Sequence, residues 1–317
     1  MSATASATGG APPKAGKRVS TASRKQIWAE RGVDRSLWLL VPALVITLGL
    51  FFYPFIYGIG LTFQPYQATQ RQYGGGIFAN YVAFFTDKFF FDSIWLTMRL
   101  GLPVALFNVI AAVPVAFKTR RKFRGKRTMM TLLVLPITLG TVLTAQGLLI
   151  FLGRQGWLNR FLMSTGIITE PLNLVMNYWG VFMSLVVSGF PFAYLLVSSY
   201  LSGIDPAIEQ AAKTLGANWW QRFTRIILPI LAPGLATTFI LTFVLAFSVF
   251  PSARLVGDAM GETRVLALMA YRSFGEQNDY PMASTVALIM GVVELLVVAV
   301  VLVARSVMFK GSTGGKG

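Results

Sequence analysis

Six separate stretches of this chain are predominantly apolar for more than 20 residues each: 36–62, 93–117, 129–152, 174–199, 226–250 and 283–304. A helix needs about 20 mostly apolar residues to cross a bilayer. Six such stretches in 317 residues leave little room for any other architecture. Prolines stand inside several of them, at positions 42, 54, 103, 114, 136 and 191. In a membrane, neighbouring helices and polar side chains satisfy the carbonyls that proline frees. The chain is 55% hydrophobic and 13% charged, against about 25% charged in soluble domains. The expected fold is an all-α integral membrane protein with six transmembrane helices.

The charges give that bundle a direction. With six spans, both termini lie on one side. That side carries 20 Lys and Arg against 4 Asp and Glu, and the other side 7 against 7. The positive-inside rule places both termini in the cytoplasm. The densest block, residues 118–127, has seven basic side chains and no acid. It suits anionic-lipid or nucleic-acid binding, but it also reads as a topology determinant, so the net charge of +16 does not require nucleic acid. Residues 1–30 and 311–317, rich in small and polar residues, are expected to be disordered tails around a membrane domain of 31–310. The first apolar run is too long for the core of a cleavable signal peptide.

Catalytic chemistry is hard to place on this chain. Cysteine and histidine are absent, which excludes disulfides, thiolate or imidazole metal ligands and Cys/His nucleophiles. The segment Arg124-Gly-Lys-Arg-Thr128 lacks the upstream glycine of a phosphate-binding loop, and no Gly-x-Ser-x-Gly occurs. No cofactor or metal site is expected.

One polar segment interrupts the apolar pattern, at 203–225. Asp205 and Pro206 form a helix start, with Asp as the N-cap and Pro at the first helical position. Ile208, Ala211, Ala212 and Leu215 follow at i, i+3, i+4, i+7, one apolar stripe. Gly216 suits a left-handed C-cap. Asn218 is placed to cap a second helix through Trp219, Trp220 and Phe223, and Pro229 and Pro233 are expected to bend its continuation.

The run Gln210-Ala-Ala-Lys-Thr-Leu-Gly-Ala217, followed by Arg222-Phe-Thr-Arg-Ile-Ile-Leu-Pro229, resembles the EAA loop of bacterial binding-protein-dependent ABC importer permeases. In that family the loop forms coupling helices that dock in a groove of a cytoplasmic ATPase. The resemblance implies coupling roles for Glu209, Gln210, Ala211, Ala212, Leu215, Gly216, Trp219 and Arg222. It also implies a second permease subunit, two ATPase subunits that use ATP and Mg, and an external binding protein, assembled in a bacterial inner membrane. Gln210 departs from the family's glutamate, and Glu209 lies about 100° away around the helix. Thr214-Leu-Gly-Ala217 looks like the group that includes spermidine/putrescine, sulfate, thiamine and ferric-iron permeases. Residues 126–136, 153–174 and 255–261 are most similar to the first permease of spermidine/putrescine systems. A gradient-driven secondary transporter is the alternative of another class, although no inverted repeat is visible.

Two ionisable residues fall inside the spans, Arg99 and Glu294, and such residues are functional candidates by default. Glu294 has three readings: paired with Arg99, protonated, or facing a translocation path. Gln146, Ser188, Tyr194 and Ser248 are further path candidates. These four, with Asn108 and Asn177, also suit hydrogen bonds between helices.

Overall fold

A computed structural model describes residues 37–120 and 124–308. Both expected tails, and residues 121–123 of the basic block, lie outside the described residues. The helices in order are α1 (Leu37–Thr62), α2 (Gln67–Tyr73), α3 (Ala79–Thr86), α4 (Lys88–Arg120), α5 (Lys126–Leu152), α6 (Trp157–Ser164), α7 (Tyr178–Ser202), α8 (Pro206–Thr214), α9 (Trp219–Arg222), α10 (Leu228–Phe247), α11 (Pro251–Leu255), α12 (Leu266–Gly275) and α13 (Tyr280–Met308). Six helical segments among the described residues are long and apolar enough to cross a membrane, and no strand occurs among them. The chain divides into two compact units, 1–56 and 57–317, with the boundary inside α1. In the first unit, the described part of α1 carries Pro42 and Pro54 and stacks Phe51 on Phe55 at 6.3 Å.

In the second unit, local chemistry moves the helix ends away from the limits of hydrophobicity. Asn177 lies outside its helix as the N-cap of α7 and accepts from the Gly180 amide at 2.9 Å. Ser248 is likewise the residue that ends α10. A further break was not legible as such: Gly140 inside α5 has φ 73°, a value only glycine takes without strain. The Thr144 hydroxyl donates to the Gly140 carbonyl at 2.8 Å, so the kink leaves that acceptor satisfied.

Helices α4, α7 and α10 pack closely because small residues line their contacts. Gly101 of α4 is one: a Cβ there would stand 3.3 Å from the Phe243 ring of α10. One cluster joins Leu100, Val104, Phe243, Phe247, Leu266, Met269 and Val286. A second joins Ala112, Ala116, Ala193, Tyr194, Val197, Leu201, Ile227 and Leu231. The hydroxyls of Thr97, Thr238, Thr242 and Thr285 donate to carbonyls four residues earlier in their own helices, so burial strands none of them.

Residues 251–282 separate the last two spanning stretches and are polar and mixed in charge, the composition of a connecting loop. They instead contain α11 and α12, and α12 buries Leu266, Leu268 and Met269 in the first cluster. The Leu266 amide donates to the buried Thr97 hydroxyl at 2.9 Å, which pins α12 to α4. The apolar run 265–271 is too short for a span, so hydrophobicity over a spanning window passes over it. Segment 153–173 holds a short helix, α6, with Trp157 stacked on Phe161 at 5.4 Å.

That segment is organised by Asn159, which is fully buried. Its amide donates to the Gly153 and Leu172 carbonyls at 2.9 and 3.0 Å and accepts from the Leu172 amide at 2.8 Å. Asn159→Leu keeps the number of side-chain heavy atoms and strands the Leu172 carbonyl and amide, while the Gly153 carbonyl keeps the Gly156 amide at 2.7 Å. Stranding a buried group costs about 1–3 kcal/mol. A clear fall in the thermal midpoint of the purified protein is expected, and an unchanged midpoint would show that the segment does not depend on this side chain.

Candidate functional site

The polar segment folds into a two-helix module built from its own caps. The Asp205 carboxylate accepts from the Ala207 amide at 2.8 Å and starts α8. Gly216 ends it with φ 83°. The Ala217 amide donates to Ala212 and the Gly216 amide to Lys213, both at 3.0 Å, which is a Schellman ending. Asn218 then accepts from the Gln221 amide at 2.8 Å while the Gln221 side chain accepts from the Asn218 amide at 2.9 Å, a reciprocal capping box. Between α9 and α10 the helix widens into a π turn over Phe223–Ile227. Pro229 has no amide for the Arg225 carbonyl and its ring crowds that carbonyl; a wider turn accommodates both.

Tertiary contacts tie the module to the bundle through charge. Glu209 lies 3.5 Å from Arg120 at the end of α4 and 3.9 Å from Arg222 of α9. All three side chains are less than one-fifth exposed. Arg120 also donates to the Ile204 carbonyl at 2.5 Å. Glu209 therefore joins three elements within the chain, and Arg222 is turned inward with it. Trp219 adds an aromatic tie, stacking on Phe223 at 5.6 Å and meeting Phe117 of α4 edge-on at 6.0 Å.

The expected apolar stripe is divided by this docking. Ala212 is only 8% exposed, whereas Ile208, Ala211 and Leu215 face outward, Leu215 at 88%. Gln210 is exposed beside them. The module thus has a back that packs on the bundle and a front that is exposed among the described residues.

The intramembrane candidates separate in the same way. Tyr194 is completely buried, and its hydroxyl donates to the Thr119 hydroxyl at 3.0 Å. It packs in the second cluster and lines a cavity of about 240 Å³ with Thr119, Arg120 and Ser198. Arg99 stacks over the Tyr178 ring at 5.0 Å. Glu294 accepts from the Ser248 hydroxyl at 3.4 Å. No Arg99–Glu294 ion pair is present among the described residues, so the pairing alternative falls away. Gln146 is exposed and Ser248 is exposed at the end of α10. The Ser188 hydroxyl and the Asn108 carbonyl oxygen are both buried with no hydrogen-bond partner, so neither makes the expected bond between helices.

Comparison with known proteins places this arrangement. A family model described as the inner membrane component of binding-protein-dependent transport systems matches residues 74–308, more than half of the chain. The chain belongs to this family. It is similar to a probable sulfate transport system permease of Prototheca wickerhamii, 31% identical over 66% of this chain and 81% of that protein. It is also similar to a spermidine/putrescine transport system permease of Haemophilus influenzae, 26% identical over 83% of this chain and 88% of that protein. The fold matches a chain of a bacterial ABC transporter involved in import of alginate, with a TM-score of 0.73 over 90% of this chain and 99% of that one, at 20% identity. The protein is thus a membrane component of a binding-protein-dependent transport system, a multi-pass permease subunit and not by itself an enzyme.

Two residues of this permease module escaped the sequence reading. Arg120 lies in the basic block that reads as a topology signal, yet it reaches Glu209, 89 positions away. A charge count shows the block and not the pairing. Gln221 completes the capping box of α9; the signal was available as Asn218 with Gln three residues later.

Proposed function

We propose that this permease forms half of a translocation path and is driven by a cytoplasmic ATPase that docks on the front of α8. One observation carries the reading: α8 presents Ile208, Ala211 and Leu215 outward while Glu209 locks its back to α4 and α9. A projecting helix fastened to a membrane helix transmits displacement, whereas a loosely attached one absorbs it. The assembly contains a second permease subunit, two ATPases that use ATP and Mg, and an external solute-binding protein. The positive-inside rule puts α8 and both termini in the cytoplasm. Co-purification with the ATPase, and ATP hydrolysis that rises with loaded binding protein, test the reading. Uptake that persists without any ATPase would overturn it.

For the solute we propose a small cation of the polyamine class. The support is Glu294, a carboxylate midway along the last span, half-buried and accepting from the Ser248 hydroxyl. An ionised carboxylate facing lipid at mid-helix would cost about 2.5–3.5 kcal/mol, so protein or water is its favoured surrounding. Sulfate is the second reading, favoured by the 31% identical relative. Glu294→Gln keeps the Ser248 contact and removes the charge. Uptake of putrescine is expected to fall about tenfold, the scale of one charged hydrogen bond, with the thermal midpoint unchanged. Equal uptake at equal expression would remove Glu294 from the path, and sulfate as the ligand of the cognate binding protein would replace the cation.

A further inference from the structure

A groove of about 570 Å³ opens on the surface between α4 and the segment formed by α9 and α10. Its lining is apolar and aromatic along its length, and Lys118 is the charged residue at one end. Lys118 is exposed and forms no ion pair among the described residues. Trp219 and Trp220 stand at the same end, both exposed. Trp219 meets Phe117, the neighbour of Lys118, edge-on at 6.0 Å. Tryptophan is enriched where hydrocarbon meets headgroups, so this end marks the membrane interface. Val109, at the other end of the α4 wall, is nine residues from Lys118, about 14 Å by the helical rise. Half of a hydrocarbon core is about 15 Å thick. The groove is thus one leaflet deep, apolar along its length and cationic at its mouth.

We propose that this groove binds an anionic glycerophospholipid, with an acyl chain along α4 and α10 and the phosphate at Lys118. The site is additional to the importer reading and stands without it. The chain gains no hydrophobic free energy over its place in the bilayer, because both surroundings are apolar. Shape therefore seats the chain, and charge selects the headgroup. A phosphatidylcholine headgroup brings its own cation toward Lys118, whereas a phosphatidylglycerol headgroup brings net negative charge. The indole N–H groups of Trp219 and Trp220 add donors at that end. The charge asymmetry of the chain puts the groove in the cytoplasmic leaflet, where basic side chains attract anionic lipid. A helix of a partner subunit in the same place would cover Lys118 and need an acid to pair it. Phe117, Trp219 and Phe223 wall the groove and also tie α9 to α4, so the lipid braces the module that carries α8.

The test uses the full transporter, reconstituted in vesicles of phosphatidylcholine with a minor share of phosphatidylglycerol and then returned to mild detergent. Native mass spectrometry counts the lipid retained on the complex. Phosphatidylglycerol is expected about fivefold above its share in the vesicles, the factor of one basic side chain at a membrane surface. Lys118→Gln should abolish the preference and Lys118→Arg should keep it, which separates charge from folding. Ile110→Trp narrows the groove and leaves every basic residue in place. It should lose the retained lipid while the thermal midpoint stays near wild type. Retention of phosphatidylglycerol at its vesicle share in wild type overturns the site. Absence of retained lipid does so too, and is what a groove closed by a partner subunit's helix gives. A preference that persists in Ile110→Trp assigns the lipid to the basic block at 118–127 and overturns the groove. Retained phosphatidylglycerol without any stimulated ATP hydrolysis would strike the importer reading and leave this site standing.

Discussion

Glu209→Gln is expected to leave a permease that inserts, folds and binds its ATPase but imports about tenfold less solute per ATP. The substitution keeps the length of the side chain and removes the charge between Arg120 and Arg222, 3.5 and 3.9 Å away. The two guanidinium groups then face each other without a counter-charge. Exposed ion pairs are worth about 0.2–1 kcal/mol and breaking buried ones costs about 3–5 kcal/mol. Side chains here are 13–19% exposed, so about 2 kcal/mol is the expected weakening of the joint. That is enough to let α8 move without carrying α4. Uptake measured against ATP hydrolysis in proteoliposomes reads the joint directly. Adding Arg120→Gln should cost little beyond the first change, because both remove the same contact. Tight coupling in Glu209→Gln would show that displacement travels by another route.

Leu215→Asp and Ala212→Glu are expected to fail for different reasons, although they stand three residues apart on one predicted stripe. Leu215 is 88% exposed, so the permease alone should keep its thermal midpoint when aspartate replaces it. Covering a leucine on association is worth about 1.5–3 kcal/mol, so ATPase binding should weaken about ten- to a hundredfold. Ala212 is buried by the chain itself. A glutamate there places an uncompensated charge beneath α8, at about 3 kcal/mol, and should loosen the helix even without ATPase. A single cysteine at the half-buried Ala217, just past the end of α8, then reports the loosening as its own faster labelling, and the chain has no native cysteine to confuse the signal. Equal thermal midpoints for both variants would show that the front and the back of α8 are not distinct.

Six spans, the caps of α8 and the glycine that ends it are legible from the residues alone. Each of these rests on interactions within a few residues: apolar length against bilayer thickness, Asp205 against its own helix, Gly216 against its own φ. The same locality made the family legible, since the motif spacing is a property of one continuous segment. Tertiary structure alone decided which residues of that segment belong to the chain and which remain free. The 3.6-residue period puts Ala212 and Leu215 on one face, and only the docking against the bundle separates them. Tyr194 and Ser188 look alike as polar residues in one apolar helix, yet the Tyr194 hydroxyl finds Thr119 while the Ser188 hydroxyl is buried without a partner. Arg120 meets Glu209 across 89 positions because α7 carries the chain across the bundle and back to the end of α4. A pairing set by that return path has no trace in the spacing of either residue's neighbours.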